Sequence, residues 1–179
     1  LQNDIVSRFS AAANISRLYL FPQNATEVHV LRNGSWRSEY DSALTVDERT
    51  SILKALDEVI AETAGVRDAQ KYGECIIDRG SNIVFTALGV GAPSAEKKAW
   101  DQGGAKRKEM QEKLQAKLPH CDVYIGGGTS IDIMRKGVNK AYGVEWLAKE
   151  LRVPAGEMLF VGDAFYEGGN DSVVIPTGI

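Results

Sequence analysis

The residues best suited to chemistry in this chain are two aspartates, a lysine and an asparagine amide. Met158-Leu159-Phe160-Val161 is an apolar run that reads as a short buried strand covered on both faces. It stops at Gly162-Asp163, and in an open α/β sheet the carboxyl end of a strand is where ligands bind. Asp171 follows Gly168-Gly169-Asn170, a turn able to fold it back toward Asp163. Two carboxylates and an amide are hard oxygen ligands, suited to Mg²⁺ rather than zinc. The bland alternative is a strand, a loop and a helix N-cap made by Asn170 or Asp171. Lys140 stands at an expected helix start, where a lysine is usually only a solvated charge. Thr129–Met134 alternates polar and apolar residues, which puts Ser130 and Asp132 on one face of a strand.

The elements that must position these groups are legible in outline. Residues 1–16 read as a weakly amphipathic helix or linker. Leu18–Phe21 is an apolar run stopped by Pro22, hence a strand. Glu27–Arg32 and Ser35–Tyr40 flank Asn33-Gly34, a strong two-residue hairpin signal. Thr45-Val46-Asp47-Glu48 is a capping box, and the helix it opens carries Ile52, Leu53, Leu56, Val59 and Ile60 on one face. Cys75–Gly80 and Ser81–Leu88 are strand material. Ser94 is expected to cap a short helix carrying Trp100. After Gly103-Gly104 comes a charged helix with Met110, Leu114 and Leu118 as its apolar line. Asp122–Ile125 is a strand, and Asn139 is a plausible N-cap for a helix bearing Val144, Leu147, Ala148 and Leu151. Residues 40–132 thus mix helices with hairpin-like strands, whereas the chain from Lys140 onward reads helix–strand–loop. That change of pattern predicts one domain inserted into another.

Composition narrows the partners. The 179 residues are 44% hydrophobic and 25% charged with a net charge of −3, enough for one fair-sized core or two small ones. There is no basic stripe for nucleic acid and no apolar run long enough to span a membrane. Cys75 and Cys121 are isolated and fit a reducing, cytoplasmic setting. His29 and His120 stand alone and read as structural. Asn14, Asn24 and Asn33 each begin a glycosylation-acceptor pattern that is read as chance.

Gly137-Val138-Asn139-Lys140, followed by Val161-Gly162-Asp163 and Gly168-Gly169-Asn170-Asp171, resembles the third and fourth motifs of the haloacid dehalogenase-like phosphohydrolases. Gly127–Asp132 is similar to the cap-to-core junction of their class IIB branch, which includes phosphomannomutase and sucrose-phosphate phosphatase. The resemblance implies an α/β fold: a Rossmann-like core with a parallel sheet over residues 1–39 and 133–179, incomplete here, and an inserted α+β cap over 40–132. It implies an aspartate nucleophile attacking a phosphate monoester, a sugar phosphate by expectation, with Mg²⁺ as cofactor. Lys140 would be the charge-stabilising lysine and Asp163 the direct metal ligand. Asp171, with Asn170, would hold metal-bound water or the lysine. Ser130, Asp132 and Arg79 would face substrate from the cap, and a homodimer through the cap would suit the branch.

Two departures bear on this resemblance. The nucleophile motif Asp-x-Asp-x-Thr is absent: Asp4 has no partner two residues on, Asp122 is followed by Tyr124, and Asp132 by Met134. The expectation is that roughly 60–80 residues of core precede Leu1. The chain as given would then be a non-catalytic cap-plus-partial-core fragment. Second, Ala87–Lys98 offers Lys97 and Lys98 but no arginine for a second phosphate. This favours a phosphatase over the alternative, a phosphomannomutase-type hexose phosphomutase.

Overall fold

The computed structural model describes residues 5–9 and 14–179. Half of the element expected over residues 1–16 lies outside these, and within it Val6–Arg8 forms one 3-10 turn. Two sheets carry the architecture. The first is three-stranded and antiparallel: β1 (Tyr19–Leu20), β2 (Glu27–Arg32) and β3 (Ser35–Asp41), in that order. Asn33 and Gly34 both take positive φ at the β2–β3 turn, as the hairpin signal requires, and Leu31 pairs with Trp36. Between β1 and β2 lies a single turn, α1 (Pro22–Ala25), whose Gln23, Asn24 and Ala25 have φ of 54°, 61° and 65°.

The second sheet is also antiparallel, in the order β4 (Ile76–Asp78), β5 (Asn82–Thr86), β7 (Ser130–Arg135) and β6 (Cys121–Ile125). One face is covered by α2 (Val46–Glu62) and α4 (Ala105–Lys117). Ile52, Leu56 and Val59 of α2 and Met110 and Leu114 of α4 pack on Ile83, Phe85, Ile131 and Ile133 to form the main core. Leu53, expected on that stripe, is exposed. The capping box forms in full: Thr45 Oγ1 accepts from the Glu48 N–H at 3.2 Å, and Glu48 Oε2 accepts from the Thr45 N–H at 2.7 Å. The short helix α3 (Ser94–Trp100) is capped at Pro93 without a side-chain bond, so Ser94 lies inside it rather than capping it.

The last long element is α5 (Lys140–Leu151), which begins at Asn139 as expected. It packs against the first sheet through Trp146, whose indole makes edge contacts with Tyr19, Phe21 and Tyr40. Beyond it the structure departs from the sequence reading. Met158–Asp163 forms no strand, and Leu159 and Val161 are 89% and 83% exposed. No neighbouring strand among the described residues supplies a ladder for it. All ladders between named strands are antiparallel, and one isolated parallel bridge joins Ile125 to Gly169. A strand's edge groups must find partners before an apolar run can be buried in a sheet. No helix among the described residues is long and apolar enough to cross a membrane.

Candidate active site

Lys140 owes its position to the start of α5. Asn139 Oδ1 accepts from the N–H groups of Ala141 (3.0 Å) and Tyr142 (3.3 Å), which fixes the first turn. Its Nδ2 donates to Tyr124 Oη on β6 at 3.0 Å, so the same residue ties the helix start to the second sheet. From that turn Lys140 Nζ donates to Asp171 Oδ1 at 2.6 Å and to Asn170 Oδ1 at 3.1 Å.

Asp171 is the buried member of the cluster, its side chain 2% exposed. Oδ2 accepts from the N–H groups of Asp163 (3.0 Å) and Ala164 (2.9 Å), so the carboxylate staples the 162–171 loop closed. Burial alone would raise its carboxyl. The bond from Lys140 and the two backbone donors outweigh burial and hold it below the usual carboxylate range. Two glycines allow a close approach here. A Cβ on Gly162 would sit 2.5 Å from Asp171 Cγ, and one on Gly169 would collide with the Ala164 carbonyl.

Asp163 is different: it is exposed, and among the described residues no hydrogen bond or ion pair reaches its carboxylate. It borders a cavity of about 300 Å³ lined also by Ile125, Gly126, Gly127, Ala164, Tyr166 and Asn170. The glycine wall of this cavity is braced by Arg107, which donates from Nη1 to the Gly127 carbonyl at 2.9 Å and from Nε to buried Asp101 at 2.9 Å. Lys140 also borders an apolar hollow of about 290 Å³ whose walls include Phe21, Val144, Leu147, Leu159 and Phe160.

The remaining expected residues meet the cluster unequally. Ser130 and Asp132 do share a face of β7, opposite to buried Ile131 and Ile133. Asp132 Oδ2 accepts from Asn24 Nδ2 at 3.2 Å, and Asn24 Oδ1 accepts from Asn170 Nδ2 at 3.0 Å. Burial raises the Asp132 carboxyl; the Asn24 bond and the charges of Arg79 and Lys140 offset this in part. Among the described residues the Ser130 side chain makes no hydrogen bond; Arg79 is exposed and lowers the Asp132 carboxyl through its charge. Sequence reasoning missed Asn24 and Arg107. An asparagine suits left-handed backbone, but nothing local signals that Asn24 reaches Asp132 and Asn170.

Among the described residues no three His, Cys, Asp or Glu side chains gather as a metal-ligand group. Mg²⁺ does not need such a cage, since it keeps waters and takes one or two carboxylates plus substrate oxygens. Asp163 fits that requirement. Asp171, expected beside it as a metal ligand, has both oxygens engaged by Lys140 and the loop backbone.

Residues 98–171 match the haloacid dehalogenase-like hydrolase family. In fold the chain is similar to an IMP-bound IMP-nucleotidase from Plasmodium falciparum, at TM-score 0.55 and 16% identity, over 89% of this chain and 42% of that one. It is also similar to a sucrose-phosphatase from Synechocystis solved with sucrose and phosphate, at TM-score 0.43 and 16% identity, over 87% of this chain and 54% of that one. The chain thus spans about half or less of the length of each. No curated protein is significantly similar to it in sequence. Residues 98–171 thus match the haloacid dehalogenase-like hydrolase family, and the mixed α/β fold is shared with the IMP-nucleotidase over most of the chain.

Proposed function

We propose that the whole protein is a Mg²⁺-dependent phosphatase that hydrolyses a phosphate monoester, a sugar phosphate in our reading, through an aspartyl-phosphate. The observation that carries this is the Lys140 ammonium, held by buried Asp171 and Asn170, with the N–H of Asp163 bonded to the same Asp171 carboxylate. Lys140, set at a helix start and steadied on two sides, supplies positive charge where a phosphoryl group gathers negative charge. Asp163 is the carboxylate free to hold the metal, and Asp171 fixes Lys140 and the loop. Mg²⁺, when bound, would neutralise phosphoryl oxygens and polarise the phosphorus.

The reading requires a further carboxylate as nucleophile. Asp171 is bonded to Lys140, Asp163 is assigned to the metal and Asp132 is bonded to Asn24, so none of these three is assigned that role. In this scheme the carboxylate oxygen forms a bond to phosphorus as the bond to the ester oxygen breaks. The leaving alkoxide takes a proton, and water then cleaves the acyl phosphate. Residues 1–39 and 133–179 are assigned to the core, and 40–132 to a cap carrying Ser130, Asp132 and Arg79 toward substrate. The cap is assigned the role of excluding water, and a pair of caps the role of a dimer contact. A cytoplasmic location belongs to the same proposal.

The test is phosphate release from p-nitrophenyl phosphate and a panel of sugar phosphates, by the whole protein, with and without Mg²⁺. Mg²⁺-dependent release is expected. Absence of release from every monoester by a folded protein overturns the reading.

A further inference from the structure

We propose that Asn24 is a positioning residue that couples Asp132 on the second sheet to the Lys140 cluster. Four bonds run in one direction across the junction: Asp171 and Asn170 accept from Lys140 at 2.6 and 3.1 Å, Asn24 accepts from Asn170 at 3.0 Å, and Asp132 accepts from Asn24 at 3.2 Å. The polarity of the chain is forced. An ammonium only donates, so Asn170 must turn its carbonyl to Lys140 and its amide hydrogens to Asn24. Asn24 then offers its own amide hydrogens to the carboxylate of Asp132. A cation at one end and an anion at the other fix both amides between them.

The backbone under Asn24 is built for this reach. Gln23, Asn24 and Ala25 all have positive φ, and Ala25 has no polar side chain to favour that region. The strained turn is pinned from outside. Tyr40 Oη donates to the Ala25 carbonyl at 2.7 Å, and Thr26 Oγ1 lies 2.8 Å from Ser81 Oγ, both residues fully buried. Ser81 directly precedes β5, so one turn is fastened to both sheets and aims Asn24 between them.

The proposal deepens the phosphatase reading and rests on it for its kinetic consequence alone. Asn24→Gly keeps the left-handed backbone and removes the amide. Two measurements decide. In the chain itself, ¹⁵N relaxation of the Lys140 ammonium is expected to lose order in Asn24→Gly and in Asp132→Ala, although Asp132 makes no bond to Lys140. In the whole protein, Asn24→Gly is expected to lower kcat by about 10- to 100-fold, the scale of a small misplacement, with KM nearly unchanged. Unchanged ammonium order in both variants overturns the proposal. A raised KM with unchanged kcat also overturns it, by making Asn24 a plain substrate contact. If the whole protein releases no phosphate, the phosphatase reading falls and the ammonium experiment still decides the role of Asn24.

Discussion

The strand Asn82–Thr86 and the run Met158–Val161 have similar apolar content and opposite surroundings. All five residues of β5 are buried, with Ile83 and Phe85 at 0% exposure, while Leu159 and Val161 stand almost fully in solvent. β5 has β4 on one edge, β7 on the other and two helices across one face. Met158–Val161 has no strand on either edge among the described residues. An apolar run therefore specifies a strand only where its backbone groups and side chains meet partners. The Lys140–Asp171 pair and Asp163 sit at the seam between these two kinds of structure: Asp171 is buried and bonded to Lys140, and Asp163 ends the open run.

Substitutions in the two regions sharpen this contrast. Phe85→Ala removes a fully buried ring from the main core and is expected to cost about 3–5 kcal/mol of stability, read as the denaturant midpoint. A cost below about 1 kcal/mol would mean that the second sheet does not carry the fold. Lys140→Ala leaves Asp171 buried without its cation. Two backbone donors remain, so about 2–3 kcal/mol is expected, below the cost of a fully buried broken pair. The readout is loss of protection of the 162–171 amides from hydrogen exchange.

A smaller effect depends on pH. Hydrogen bonds from Arg135, and next the Thr45 N–H, hold Glu48 down to about 2. A carboxyl depressed in the folded state contributes stability above its unfolded value, near 4.3, and loses it as pH falls toward about 2. Glu48→Gln should therefore lower stability at neutral pH and flatten the acid limb between those values. An unchanged slope would mean that the Arg135–Glu48 link between β7 and α2 contributes nothing. The smallest effect is expected at Leu159→Ser, within about 0.5 kcal/mol, because the side chain is already in solvent. A large loss would show that this run is packed in solution.

Much of the fold was legible because its signals are local. Asn33-Gly34 dictates the hairpin turn, Thr45 and Glu48 close the capping box, and Asn139 starts α5 through its own side chain. The alternation in 129–134 put Ser130 and Asp132 on one face for the same reason. Misreadings arose where local pattern meets tertiary context. Met158–Val161 has strand composition without a ladder, and Leu53 fits the helical stripe but is exposed. In the site, Lys140 bonds both Asn170 and Asp171, and Gly162 and Gly169 let the loop close around them. Asn24 was invisible because its partners Asp132 and Asn170 lie 108 and 146 positions away.

The central claim of the proposed function is that the exposed carboxylate of Asp163 holds Mg²⁺ on the loop that Asp171 ties to Lys140. Turnover of a phosphate monoester by Asp163→Asn in the whole protein, across a Mg²⁺ titration, tests it most directly. The account predicts a folded protein whose Mg²⁺-dependent turnover falls by about 10³-fold or more, the scale of losing a group that stabilises transition-state charge. Turnover retained at the wild-type Mg²⁺ dependence would contradict it.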